Sequence, residues 1–155
     1  MKKTTIVLAL FILSINFVAA QWETKFYVDD FGDATTNSFE MLLTTGTFTN
    51  SATTNSEATY KIVKDDSYIL IYVYEYNTRL AKGIDSNLTT VKVKKPSGEI
   101  VTFDKVLFSK NGYLFVSEFN FEIMKAVLKN KGNYTIIFDQ KTEYSESNYK
   151  INLTL

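Results

Sequence analysis

The sequence predicts a mainly β domain, a single antiparallel β-sandwich or flattened barrel with one short amphipathic helix at about residues 120–130. Three observations predict it. Several segments alternate apolar and polar residues with period two, the mark of a strand with one buried face. Turn signals separate these segments at short intervals, which favours meander-like antiparallel pairing over crossovers. Only one segment carries a helical period of apolar residues, Phe121, Met124, Val127 and Leu128.

The chain opens on an export signal. Lys2 and Lys3 form a positive n-region, and Ile6–Val18 is apolar apart from Ser14 and Asn16. Val18-Ala19-Ala20 then offers the small side chains that signal peptidase requires, which predicts cleavage after residue 20. The apolar run is shorter than a spanning helix needs, and no second run of spanning length follows, so no membrane span is expected after cleavage. The expected address is the periplasm or the secreted space. Without the 20 residues of the signal, the 155-residue chain retains 135, one domain of ordinary size (21–155).

The first strand is expected over Trp22–Val28, with Trp22 anchoring the mature N-terminus, and the second over Ser38–Phe48. Between them lies Asp29-Asp30-Phe31-Gly32-Asp33. Three carboxylates around a glycine read first as a solvated turn, with Asp side chains bonding nearby backbone. The other reading is an oxygen-ligand site for Ca²⁺ formed by Asp29, Asp30 and Asp33, although the spacing is not that of an EF-hand.

Thr44–Thr59, with nine Ser or Thr in sixteen residues, is either a polar surface loop or the exposed half of a strand. Ala58–Val63 and Ser67–Tyr76 form a hairpin across Lys64-Asp65-Asp66. The second of these has apolar residues on both faces: Ile69, Ile71 and Val73 on the odd one, and Tyr68, Leu70, Tyr72, Tyr74 and Tyr76 on the even one. Such a strand is expected at the centre of a sheet. A second hairpin joins Leu88–Lys94 to Glu99–Phe103, because Lys95-Pro96-Ser97-Gly98 fits a type I turn. Lys105–Phe108, Tyr113–Val116, Tyr134–Asp139 and Asn148–Leu155 complete the strands; the last puts Tyr149, Ile151, Leu153 and Leu155 on one face. For the helix, Asn120 is the expected N-cap, Phe119 is expected to staple onto Met124, and Gly132 supplies a left-handed stop.

Composition excludes several function classes. The chain contains no Cys and no His. There is therefore no disulfide, no thiol chemistry, no Ser-His-Asp triad and no His-based metal site. Cleavage of the signal leaves 15 basic against 17 acidic residues, a balance with no general attraction for nucleic acid. A hydrolase built from this chain would have to pair carboxylates, drawing on Asp29, Asp30, Asp33, Glu75, Asp104 and Glu118. Glu75 stands out because it interrupts an apolar face, and the end of a strand emerging into water is the simpler account of it.

The aromatic content, with 10 Tyr and 12 Phe, concentrates attention on Tyr72, Tyr74 and Tyr76. Exposed, they would form a platform for a sugar ring or a protein partner. Covered by the helix or a second sheet, they would be core residues, and the covered arrangement is the expectation because an exposed aromatic stripe is a solubility liability.

Trp22, Tyr27-Val28-Asp29-Asp30-Phe31-Gly32-Asp33, Gly46-Thr47-Phe48-Thr49-Asn50-Ser51-Ala52-Thr53 and Tyr74-Glu75-Tyr76 together resemble a group of small secreted, functionally uncharacterised β-domain proteins of Bacteroidetes-type bacteria. The resemblance covers about a third of the chain. It implies export and a shared β fold, with the 29–33 turn and the 47–53 segment packed near each other; it implies no activity. Together these readings point to an exported non-catalytic module, not an enzyme. A protein partner or self-association comes first, a glycan-binding module second and a carboxylate hydrolase third.

Overall fold

The structure, a computed structural model, describes residues 21–141 and 145–155; the expected export signal at 1–20 lies outside the described residues. Ten strands and one helix follow in order: β1 (Glu23–Val28), β2 (Ala34–Asn50), β3 (Thr53–Lys64), β4 (Tyr68–Glu75), β5 (Arg79–Leu80), β6 (Asn87–Lys94), β7 (Ile100–Ser109), β8 (Tyr113–Ser117), α1 (Glu118–Val127), β9 (Asn133–Lys141) and β10 (Glu146–Thr154). Eight strands close an antiparallel barrel in the order β2-β10-β9-β6-β7-β8-β4-β3, with β3 returning to β2. The fold is thus the flattened barrel among the expected alternatives. β1 and β5 are additions to it, pairing with β2 and β4.

The barrel closes because each strand presents one apolar face inward. In β4 that face is Ile69, Ile71 and Val73, all buried, and in β10 it is Tyr149, Ile151 and Leu153. Phe48, Tyr60, Phe108, Leu114, Ile136 and Phe138 meet them from other strands, so the interior is a packed core. The Ser/Thr-rich stretch is the β2–β3 hairpin. Its turn is held by Asn50, whose side-chain oxygen accepts from the backbone of Ala52 and Thr53.

One end of the barrel is stoppered by α1, which buries Phe121, Met124 and Val127. The Tyr134 hydroxyl of β9 lies within hydrogen-bond reach of the carbonyls of Val127 and Asn130 (3.0 and 2.8 Å), and its one proton serves acceptors that a helix end leaves open. Three local expectations are corrected here. The N-cap is Ser117, not Asn120, because Glu118 turns the chain straight out of β8 through a left-handed φ of 54°. Asn120 instead bonds the carbonyl of Asp104. Phe119 is 78% exposed and cannot staple Met124. Gly132 lies beyond the Leu128 cap, where it exchanges backbone hydrogen bonds with Leu155.

β2 is 17 residues long and changes partner along its length. Its first half pairs with β1 and its second with β10, so the β1–β2 ribbon projects as an arm beyond the barrel. This geometry overturns the expected proximity of the 29–33 turn and the 47–53 segment. They sit at opposite ends of β2, about 50 Å apart along the strand.

Candidate functional site

Inward alternation along β4 sends its even residues outward, and the same holds for its neighbours. Cross-strand pairing then lines up Met41, Val63, Leu70, Phe115, Leu107 and Leu88 in one row over β2, β3, β4, β8, β7 and β6. Traced along the curved sheet, six adjacent strands make this apolar row about 24 Å long. Leu43, Lys61, Tyr72 and Tyr113 form a second row beside it. The opposite wall is polar: β10 faces outward with Asn148, Lys150, Asn152 and Thr154. The barrel is therefore amphipathic on its outside, with one apolar, aromatic wall.

The expectation that the tyrosine face is covered is corrected by this arrangement. Tyr68, Tyr72 and Tyr74 point outward and are half-buried by one another and their neighbours. Their rings are not coplanar: Tyr72 is tilted 50° to Tyr113, and Tyr68 is tilted 46° to Phe115. The Lys61 ammonium sits 4.3 Å from the centre of the Tyr72 ring. That face of Tyr72 is occupied by a cation rather than open to a sugar.

Tyr76 does not belong with Tyr72 and Tyr74. Its backbone is left-handed (φ 51°), and its ring packs edge-on against the core residue Phe48. The strand ends at Glu75, so the alternation that grouped the three tyrosines stops one residue too early for the third.

A second feature lies at the barrel mouth opposite α1, an open cleft of about 630 Å³ lined by Asn50, Glu75, Arg79, Lys82, Gly83 and Gln140 among others. Glu75 is not simply a strand end emerging into water. Its odd position turns it toward the rim of the interior, where it accepts a hydrogen bond from the Tyr149 phenol at 3.0 Å. The same phenol lies 3.3 Å from Oε1 of Gln140. One phenol has one proton, so the carboxylate and the amide oxygen compete for it. The amide nitrogen of Gln140 is buried and has no hydrogen-bond partner among the described residues.

Burial pushes the Tyr149 phenol well above its ordinary value, and the Glu75 charge adds to this. Burial does the same to Tyr60, again with help from Glu75. The fold therefore holds both protons more tightly than the unfolded chain does. Stability from these groups is fully present below pH ~10, the ordinary tyrosine value, and is lost above it. Thermal melts are expected to be level up to about pH 9 and to fall above pH 10, by about 1.4 kcal/mol per phenol per pH unit. Tyr149→Phe is expected to shed part of that slope.

The acidic candidates are scattered. Asp29 Oδ1 accepts from the backbone of Phe31 and Asp33 (2.9 and 3.0 Å), which commits it to the turn at the tip of the arm. Among the described residues no three acidic side chains converge on a metal position, so Asp29, Asp30 and Asp33 serve as a turn and not as a gathered ligand set. Asp104 accepts from Thr90 on the outer wall, and Glu118 begins the helix. Of the six carboxylates named as candidates, Glu75 alone lines the mouth cleft.

Sequence reasoning located the tyrosine strand but missed Val63, Leu107 and Phe115. A signal for Phe115 was present: Leu114 and Val116 alternate with Tyr113 and Phe115, so one apolar pair had to face outward. Comparison with known proteins adds nothing to this geometry, since no protein family, curated protein or solved structure matches the chain.

Proposed function

We propose that the protein is an exported, non-catalytic binding module that docks a protein partner on its apolar wall. The observation that carries this reading is the row Met41–Val63–Leu70–Phe115–Leu107–Leu88, continuous across six strands. Contiguous apolar surface of this kind is a burden to a free protein and a benefit only when something covers it. A protein surface suits it better than a glycan does. The row mixes aliphatic and aromatic side chains, and the flanking row places Lys61 and the Tyr72 and Tyr113 hydroxyls where an interface has its polar rim. Sugar stacking on Tyr72 and Tyr74 is disfavoured by the tilt of the neighbouring rings and by Lys61 over Tyr72.

The expected export signal at residues 1–20 supports an encounter in the periplasm or outside the cell. A photo-crosslinking residue in place of Phe115, in the cell that makes the protein, is expected to give an adduct of one defined added mass. The same residue in place of Asn152, on the polar wall, is expected to give none. Leu70→Glu should abolish the Phe115 adduct while leaving the melting temperature nearly unchanged, since Leu70 lies outside the core. Absence of the adduct at position 115, or equal labelling at position 152, would refute the proposal. Mass measurement of the exported protein tests cleavage after Ala20 separately.

A further inference from the structure

We propose that two copies of this chain pair edge to edge through β1, about a two-fold axis at Thr24. Closure protects the edges of the eight barrel strands, but among the described residues β1 is hydrogen-bonded to β2 along one edge and to no strand along the other. A free edge presents backbone donors and acceptors to any strand that can match it. All six residues of β1 are exposed, and the ribbon leaves Phe26 54%, Val28 65% and Phe31 92% accessible. The Tyr27 hydroxyl ties the ribbon to the β3–β4 turn, donating to the Asp65 carboxylate and meeting the Tyr68 hydroxyl at 3.0 Å, which holds β1 in place and leaves its outer edge facing a second copy.

The sequence of β1 selects its own partner. In an antiparallel ladder, alternate residues direct their N–H and C=O groups to opposite edges. With β2 holding one edge, symmetric pairing of two β1 strands must set a residue opposite its own copy. Centring on Lys25 sets two ammonium groups together. Centring on Phe26 brings Glu23 opposite Asp29 of the second copy, both acidic, and Tyr27 lies on the bulge between Phe26 and Val28, where the register is broken. Centring on Thr24 puts Glu23 opposite Lys25 of the second copy, and Lys25 opposite its Glu23. Two opposite-charge pairs then form from a strand with only two charges. Within one chain Glu23 and Lys25 already lie on the same face, 2.8 Å apart, with both side chains largely exposed. Pairing across the axis would join them into a four-charge cluster.

Charge reversal tests this on the purified protein by sedimentation equilibrium. The unaltered protein is expected to dimerise as its concentration rises. Lys25→Glu makes every cross-axis pair acidic and should weaken the dimer about thirty-fold or more. The double exchange Glu23→Lys with Lys25→Glu restores both pairs in reverse order and should recover the affinity to within about threefold. Circular dichroism of each variant confirms folding, and β1 lies outside the core, so loss of fold is not the expected result. A protein that stays monomeric at every concentration overturns the proposal, as does a dimer indifferent to Lys25→Glu or not rescued by the double exchange. The apolar wall takes no part in this pairing, so the result is independent of the crosslink at position 115.

Discussion

Replacing Gly46 by alanine is expected to cost on the order of 3 kcal/mol, one of the largest losses any single methyl group could cause in this protein. A Cβ built at Gly46 would fall 2.0 Å from the carbonyl oxygen of Lys150 and 3.0 Å from the Cα of Ile151. Both are backbone atoms of β10, so no side chain can swing aside to admit the methyl. The crowding has a topological origin. β2 pairs with β1 up to Met41 and with β10 from Thr45, so Gly46 sits where the strand has just changed partner. A glycine allows two backbones to approach closely at such a junction. Thr44 helps to hold the same junction, donating to the carbonyl of Asn152 at 2.6 Å.

Alanine would push β2 away from β10 and open the barrel at its seam. Urea denaturation followed by circular dichroism checks this directly. Gly98→Ala is the control. That glycine has a left-handed φ of 88° but nothing within 4 Å of its would-be Cβ, so backbone strain alone should cost about 1 kcal/mol. Equal losses at the two positions would show that the seam is not the critical contact.

The same seam explains what the sequence could and could not disclose. Strands such as β10 were legible because Tyr149, Ile151 and Leu153 alternate cleanly with Asn148, Lys150 and Asn152. The β3–β4 and β6–β7 hairpins were legible from their turn chemistry. β2 was only partly legible, because Gly46 and the outward threonines at 45, 47 and 49 break its apolar pattern, although the strand continues through them. Barrel closure was legible only as one of two alternatives, sandwich or flattened barrel. It depends on β2 meeting both β3 and β10, and a local pattern carries no information about which distant strand a residue faces. The tyrosine strand shows the limit most clearly. Alternation correctly separated Ile69, Ile71 and Val73 from Tyr68, Tyr72 and Tyr74, yet two apolar faces suggested burial on both sides. In a small barrel only one face can be inside, so the other had to form an apolar outer wall. The mouth was hidden for a related reason: Glu75 and Tyr149 are 74 residues apart, and neither is unusual in its own segment.

That pair supports the second large prediction. Tyr149→Ala is expected to destabilise the protein by about 4 kcal/mol, whereas Tyr149→Phe should cost about 1 kcal/mol. The difference arises because ring and hydroxyl do separate work. The ring is the hub of the aromatic core. It stacks on Phe138 at 5.2 Å, on Phe108 at 6.0 Å and on Phe48 at 6.3 Å, with interplanar angles of 28°, 19° and 25°. Truncation to alanine leaves a cavity bordered by three rings on three strands, and strands fixed in a closed ladder cannot collapse to fill it. The hydroxyl contributes one hydrogen bond to Glu75. Glu75 is only partly buried, so water can replace the lost donor and the penalty stays small. Gln140 gives the two variants a further distinguishing mark. Its amide oxygen lies beside the same phenol, so removing the hydroxyl leaves both ends of a buried amide without a partner among the described residues. Tyr149→Phe combined with Gln140→Leu should therefore be more stable than the sum of the two single changes, by about 1 kcal/mol. A double-mutant cycle by thermal denaturation measures that coupling, and strict additivity would show that phenol and amide do not act together.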